Sequence, residues 1–230
     1  MYGATGQSGD NAYKLTHENN NTSIIKGAID SWYVNDTNLS NLRTTYLADA
    51  GFCNDRSVAP TANTWYSIDT ALGYGINYTY YGVYSRLMSS TTNASKEKPQ
   101  PQFLCPNAEN DLFTTNASSK GNQALTNPIG LITADEVVYA GGVYGTTNAS
   151  YYLNVETYYW TMSPTNYFMS RMATFRVFTD GKLDYINLSG QNGIRPVINL
   201  NSTVELSSEL PDGCTELNGT ASCPYIIKTN

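Results

Sequence analysis

The strongest constraint on the fold is a pair of alternating segments near the C-terminus, joined by a tight turn. The segments read ATFRVF and KLDYINL, and Asp180 and Gly181 lie between them. Alternation of apolar and polar residues is typical of strands with one buried face, and an Asp-Gly pair favours a two-residue hairpin turn. The sequence therefore predicts an antiparallel β-hairpin in which Phe175, Val177 and Leu183 point into the core.

Helical patterns come earlier in the chain. The segment TSIIKGAIDSWY has apolar residues at helical spacing, at Ile25, Ala28, Ile29 and Trp32. Thr22 or Ser23 can accept a backbone hydrogen bond as the N-cap, so this segment predicts an amphipathic helix of about three turns. A weaker helical pattern follows over residues 39 to 47.

A third helical segment, GLITADEVVYAGG, contains two adjacent carboxylates that could be mistaken for a catalytic pair. Thr133 precedes Glu136 by three residues, which is the spacing of a capping box, and Gly141 is placed to end the helix. We therefore predict that Asp135 and Glu136 begin a helix, where carboxylates are favoured by the helix dipole, and do not act as an acid and base.

This order of elements indicates the fold class. Helices come first and antiparallel strands later, which favours an α+β fold over a wound parallel sheet. Residues 1–22 are polar and irregular in pattern, so we expect one domain over residues 23–230. A chain of this length can bury its own core.

Composition limits the classes of partner. Only 14% of the residues are charged and the net charge is -6, with no Lys/Arg cluster, so we expect neither nucleic acid nor an anionic membrane as partner. No apolar run is long enough for membrane insertion. The first residues lack the basic and apolar regions of a signal peptide, so we expect any export signal to lie outside this sequence. The neutral polar surface favours an extracellular or cell-surface location.

The four cysteines predict disulfide bonds. Cys53, Cys105, Cys214 and Cys223 show no C-x-x-C spacing, and His17 is the single histidine, so a zinc site lacks ligands. We predict the pairs Cys53–Cys105 and Cys214–Cys223, which suit an exported protein. Free buried thiols are the alternative.

No motif predicts an enzyme. A Ser or Cys triad would need His17, which lies in the irregular N-terminal segment. A carboxylate-based hydrolase acting on glycans stays an alternative, because it needs only two carboxylates at the right separation. The candidate carboxylates are Asp49, Asp55, Asp69 and Asp111. We predict no catalytic residue and no cofactor or metal, although a glycan site could use calcium.

Several longer blocks of the sequence resemble a family of surface proteins from gut Firmicutes. These blocks are YLADAGFCNDRS, NPIGLITADEVVYAGG, YWTMSP, GIRPVINL and CPYIIKTN. The helix-first, hairpin-last order and the Trp block before an Arg-containing strand look like the C-type lectin fold. Formylglycine-generating enzymes and the variable proteins of diversity-generating retroelements share that fold. The late cysteines suit a staple better than the copper-binding pair of those enzymes.

The resemblance to variable proteins implies a ligand surface between Trp160 and Gly193. Residues in this stretch with no evident core role are Thr165, Asn166, Tyr167, Phe168, Ser170, Arg171, Asp184, Tyr185 and Asn187. Tyr, Asn and Ser are also the residues that antibody paratopes use, and aromatics with Arg are typical of interface hot spots. The alternative is that Tyr167 and Phe168 cover the hairpin and the rest is solvated loop.

We therefore expect an extracellular ligand-binding domain, receptor-binding or adhesin-like, and potentially a retroelement-diversified variable protein. Its partner would be a protein or a glycan on a cell surface. The alternatives are a structural component of a surface layer or phage particle, and the hydrolase described above.

Overall fold

The computed structural model of the chain describes residues 19, 22–40, 42–57, 59, 79–88, 99–151, 153–168, 171–219 and 222–228. The predicted irregular segment 1–22 therefore lies almost entirely outside the described residues. His17, Asp69 and Ser170 lie outside them as well.

The described chain contains short helices, mostly in its first half, and strands that become longer towards the C-terminus. The helices are α1 Ile24–Asn35, α2 Thr37–Ser40, α3 Arg43–Tyr46, α4 Gly82–Leu87, α5 Ala108–Asp111 and α6 Ala134–Tyr139. The strands are β1 Leu47–Ala48, β2 Phe52–Cys53, β3 Thr79–Tyr80, β4 Leu112–Phe113, β5 Gly130–Leu131, β6 Tyr159–Phe168, β7 Arg171–Val177, β8 Leu183–Asn187, β9 Pro196–Val197 and β10 Asn199–Leu200.

Helix α1 begins at the predicted cap, and its buried face overlaps the predicted one only in part, at Ile25 and Ile29. Ser23 has extended backbone angles, and its Oγ accepts a hydrogen bond of 3.1 Å from the Lys26 amide. The buried residues are Lys26, Ile29 and Tyr33, whereas Trp32 is 43% exposed. The prediction for Trp32 is wrong because both sides of this helix carry apolar residues, and tertiary packing decides which side is buried.

The weaker helical pattern after α1 forms two helices of one turn each, α2 and α3. The Asp36 carboxylate accepts a hydrogen bond of 2.8 Å from the Leu39 amide, which caps α2. The chain then enters α3 at Leu42 and leaves it as β1.

The capping box of α6 is confirmed. The Thr133 amide donates to the Glu136 carboxylate at 2.7 Å, and the Glu136 amide donates to Thr133 Oγ1 at 3.1 Å. Gly141, with a φ of 105°, follows the C-cap, and the box fixes where the helix begins.

A four-stranded antiparallel sheet with the order β3-β6-β7-β8 forms the centre of the described structure. The predicted hairpin is confirmed, because β7 pairs with β8 on either side of Asp180 and Gly181. Gly181 has a φ of 75°, and a Cβ at this position would lie 2.1 Å from the Asn148 carbonyl oxygen. The turn therefore needs glycine both for its backbone conformation and for space.

The central sheet separates two apolar cores. One face packs Tyr159, Phe175, Val177 and Leu183 against α4 and α6. On the other side, Trp160 and neighbouring sheet residues pack with α1 and the short strands near the start of the chain. Burial of both faces explains why the central strands β6 and β7 contain apolar or neutral residues at nearly every position.

Three two-stranded antiparallel sheets tie distant segments together: β1-β10, β2-β4 and β5-β9. The segment IRPVINL, part of the resemblance, therefore forms two strands of two residues each. The last segment of the chain shows a single bridge, between Leu206 and Ile227.

The described chain is thus a mixed α/β structure with small antiparallel sheets and few helices. Both predicted disulfides are confirmed: Cys53 pairs with Cys105, and Cys214 pairs with Cys223. Across the described ranges, no helix has the length and apolar character needed to cross a bilayer.

Candidate ligand-binding site

Of the predicted site residues whose side chains the structure describes, those on β6 are buried and those on β8 are at least partly exposed. Thr165, Asn166 and Tyr167 are 0%, 8% and 3% exposed, so the expectation that they face a ligand is wrong. Tyr167 packs with Tyr81 and Met172 in a small separate core. These residues belong to the long strand β6, which pairs with β3 on one side and β7 on the other.

Strand β6 continues past Pro164. A proline is typical of a strand end, but here it lies where the pairing of β6 with β7 shifts register, and the strand continues to Phe168. In the backbone register, Phe168 is paired with Arg171 at the end of the β6–β7 pair.

The remaining predicted residues lie on β8. Asp184 is partly exposed and forms an ion pair of 3.5 Å with Lys182. Tyr185 is 37% exposed, and its ring packs edge-on against Tyr84 with centroids 5.5 Å apart. Asn187 is half-buried at the end of the strand. Asp184, Tyr185 and Asn187 thus all reach solvent at least in part from β8.

A concave surface in the described part of the chain lies elsewhere, between α6 and β9. We call it the α6–β9 cavity, and its volume is about 590 Å³. Its wall consists of Phe103, Ile132, Glu136, Tyr139, Ala140, Leu153, Arg195, Pro196, Val197 and Ile198. Most of these side chains are apolar, and the few polar groups are concentrated at two positions, which is typical of ligand pockets.

Two aromatic rings at the mouth of the cavity are unusually exposed. Phe103 is 64% exposed and Tyr139 is 70% exposed, yet their ring centroids lie 4.8 Å apart. Tyr139 projects from the last residue of α6, and the disulfide at Cys105 anchors the segment that carries Phe103 to β2. The pair is therefore held in place by its backbone and not by burial of the rings.

The polar groups of the cavity are Arg195 and Glu136. Arg195 Nη1 donates to the Leu153 carbonyl, and its guanidinium lies 5.4 Å from the centroid of the Tyr159 ring. Glu136 is held by its capping box, which uses one carboxylate oxygen for both bonds from Thr133. A guanidinium and a carboxylate in fixed positions can orient a polar ligand.

Two tyrosines next to Arg195 are joined by a hydrogen bond between their hydroxyl groups. The Tyr151 and Tyr159 hydroxyl oxygens lie 2.5 Å apart, and both side chains are buried. Burial raises the pKa of Tyr151, and the hydrogen bond with Tyr159 adds to that shift. Burial also raises the pKa of Tyr159, so both hydroxyls stay protonated. The Tyr159 ring lies under the Arg195 guanidinium.

Two of the four carboxylates proposed for a hydrolase, Asp55 and Asp111, are paired with arginines. Arg86 donates to Asp55 at 2.7 Å and binds Asp135 with two bonds of 2.7 Å. Arg56 donates to Asp111 at 2.7 Å through its side chain. These carboxylates are buried and lie outside the cavity wall, which is the pattern of structural ion pairs.

Burial raises the pKa of Asp111 from its ordinary value, while Arg56 opposes that shift. The other candidate, Asp49, accepts a hydrogen bond from Thr115 Oγ1. Among the described residues, no group of three or more His, Cys, Asp or Glu side chains could hold a metal ion.

The sequence contained two indications of the α6–β9 cavity. Tyr139 falls on the side of α6 opposite the buried Val137, so the helical pattern places its ring towards solvent. Arg195 lies in the block GIRPVINL that carries the resemblance. Phe103 had no such indication, because its position depends on a disulfide to a distant strand.

In comparisons with known proteins, no family model, no curated protein and no solved structure matches the chain.

Proposed function

We propose that this chain is an extracellular ligand-binding domain and that its ligand is a saccharide bound in the α6–β9 cavity. The single observation behind the proposal is the exposed ring pair of Phe103 and Tyr139 at the cavity mouth. Large exposed aromatic side chains next to an apolar hollow are uncommon on surfaces without a binding role.

The size and chemistry of the cavity support a small saccharide over a protein surface. A volume of about 590 Å³ lies within the range of small-molecule sites, whereas protein interfaces are broader and flatter. Ring faces can cover the C–H side of a sugar, and Arg195 with Glu136 can bind its hydroxyl groups. The site needs no metal for either contact.

The extracellular location is part of the proposal. Two disulfides cross-link the chain, and stable disulfides form in oxidising compartments. The low charge density of the sequence is in keeping with such a location.

A C-type-lectin-like fold is also proposed. The order of helices first and hairpin later supports it, together with the resemblance of the blocks given above. The retroelement hypothesis needs a narrower form, because buried positions such as Thr165 and Tyr167 are poor sites for diversification. An adenine-substituted repeat in the coding DNA over β8 and its flanking loops would support that form.

The test is a glycan array with neutral and acidic oligosaccharides, followed by calorimetry with the best binder. Phe103→Ala and Tyr139→Ala should weaken binding about fivefold to thirtyfold, as expected for truncating an interface anchor. Their melting temperatures should stay close to that of the wild type, because exposed side chains contribute within about 0.5 kcal/mol.

Tyr225→Ala is the matched control, since Tyr225 is 57% exposed and lies outside the cavity wall. Equal affinity of the Phe103, Tyr139 and Tyr225 variants would contradict the assignment of the cavity. Failure to bind any glycan on the array, at millimolar concentration, would contradict the saccharide class.

A further inference from the structure

A second surface, independent of the cavity, groups two cations with two aromatic rings, and the rings themselves meet edge to face with centroids 5.2 Å apart. We call it the cation–aromatic ladder, and it consists of Tyr158, Arg176, Phe178 and Lys182. The Arg176 guanidinium lies 4.8 Å from the Tyr158 ring centroid and 4.2 Å from that of Phe178. Lys182 Nζ lies 4.3 Å from the Phe178 ring centroid. Each cation therefore rests on an aromatic face.

The backbone holds the ladder rigidly. Arg176 lies on β7 and Lys182 in the hairpin turn, so the β7–β8 pairing sets their separation. Tyr158 is tied to the neighbouring loop, because its carbonyl accepts a hydrogen bond of 2.8 Å from the Gly193 amide. A Cβ on Gly193 would lie 2.7 Å from that carbonyl oxygen, so glycine permits this close approach.

The ladder contains two cations in a chain whose net charge is -6, and the carboxylates of Asp180 and Asp184 lie beside Lys182. Lys182 has Asp184 as an ion-pair partner at 3.5 Å, whereas Arg176 has no acidic partner anywhere in the described part of the chain. Stacking on rings leaves the in-plane N–H groups of a guanidinium available for an anion and weakens its hydration.

Several donors at the ladder lack an acceptor. Arg176 Nη1 donates to Asn192 Oδ1 at 2.9 Å, but the buried atoms Arg176 Nε and Asn192 Nδ2 have no hydrogen-bond partner. Arg176 Nη2 has no acceptor among the described residues and is not one of the buried atoms. Arg176 Nε and Asn192 Nδ2 are covered by protein atoms, so Arg176 Nη2 is the donor of this group that a ligand can reach.

We propose that the cation–aromatic ladder binds the carboxylate or sulfate group of an acidic saccharide. The anionic group would accept hydrogen bonds from Arg176, and the ammonium charge of Lys182 would attract it. The Tyr158 ring, which is 41% exposed, would cover the adjoining face of the sugar. The ring beside the cation is the reason for choosing a saccharide over an inorganic anion.

The experiment measures binding by calorimetry and by ¹H–¹⁵N chemical-shift perturbation with defined probes. The probes are a galacturonic acid trisaccharide, a sulfated galactose trisaccharide, the neutral galactose trisaccharide, sodium acetate, sodium sulfate and a hexaglutamate peptide. At least one acidic trisaccharide should bind about tenfold more tightly than the neutral one, and its affinity should fall several-fold between about 50 and 300 mM NaCl. The two acidic arms distinguish carboxylate from sulfate.

The variants separate charge from geometry. Arg176→Gln should weaken binding about tenfold or more, and Arg176→Lys should recover only part of this loss because Lys lacks the planar fork. Lys182→Gln should weaken binding about threefold. Lys228→Gln is the matched control, because it removes the same charge from an exposed ion pair with Glu205.

Equal binding of neutral and acidic trisaccharides would overturn the proposal, and so would equal effects of Lys182→Gln and Lys228→Gln. Equal affinity for acetate, sulfate or hexaglutamate would overturn the saccharide assignment. If Arg176→Gln does not fold, Lys182→Gln and the salt dependence decide the question. Tyr139→Ala should leave this binding unchanged, so failure here is distinguishable from failure of the cavity proposal.

Discussion

The burial of Tyr167 gives the sharpest test of where a ligand can bind. Tyr167 is 3% exposed and packs with Tyr81 and Met172, although the sequence placed it on a ligand surface. Removing a buried aromatic ring leaves a cavity and costs about 3 to 5 kcal/mol. For a domain of this size, each kcal/mol lowers the melting temperature by about 2 to 4 °C, so Tyr167→Ala should melt about 6 to 20 °C lower.

Two variants control for other effects. Tyr167→Phe keeps the ring and should cost no more than about 1 kcal/mol, the net value of one hydrogen bond. Tyr139→Ala removes a ring that is 70% exposed and should stay within about 0.5 kcal/mol of the wild type. Urea unfolding followed by circular dichroism gives the free energies, and differential scanning calorimetry gives the melting temperatures.

One result would refute the reasoning about β6. If the free energy of unfolding of Tyr167→Ala lay within about 1 kcal/mol of that of the wild type, the end of β6 would not be part of the core. The residues from Thr165 to Tyr167 would then again be candidates for ligand contact. The same result would restore the original hypothesis for the site.

Three further predictions follow from the structure. Because burial raises the pKa of Asp111, the folded protein binds the Asp111 carboxyl proton more tightly than the unfolded chain does. The Asp111 contribution to the free energy of unfolding should therefore fall as pH rises from 3.8 to the folded pKa. A ¹³C carboxyl titration should give a midpoint above 3.8, and a lower midpoint would contradict this sign. Gly181→Ala should destabilise the protein more than Gly145→Ala, since both have positive φ but a Cβ meets a carbonyl only at Gly181; equal urea midpoints would show that the contact relaxes. The Cys53→Ser, Cys105→Ser double variant removes a disulfide between residues 52 positions apart and should lower the free energy of unfolding by about 4 kcal/mol in the chain-entropy model. It should also weaken ligand binding at Phe103. Unchanged affinity would show that the segment holds its position without the bridge.

Local patterns were sufficient for several elements. The capping box at Thr133, the N-cap at Ser23 and the hairpin at Gly181 each depend on residues within a few positions of one another. The disulfide pairing was also predicted correctly, because each cysteine lies in a turn-like context and the close pair leaves the distant pair. The local elements are fixed by short-range geometry that the sequence displays directly, whereas the Cys53–Cys105 bridge joins residues 52 positions apart.

The burial of individual faces was not predictable in the same way. The side of α1 that faces the core and the burial of β6 beyond Pro164 depend on which strands pack against them. Strand β3, which covers one edge of β6, comes from a part of the sequence without sustained periodicity. The neutral polar residues Thr165 and Asn166 therefore looked like surface residues until their neighbours were known.

The sequence by itself determined the local elements, the disulfide pairs and the class of mixed helices and antiparallel strands. Only the tertiary structure decided the candidate sites. The α6–β9 cavity combines Phe103, Tyr139 and Arg195, and the ladder combines Tyr158 with Arg176 across two strands. Residues that far apart in sequence become neighbours through long-range pairing and packing, and no local periodicity records which distant surfaces will meet.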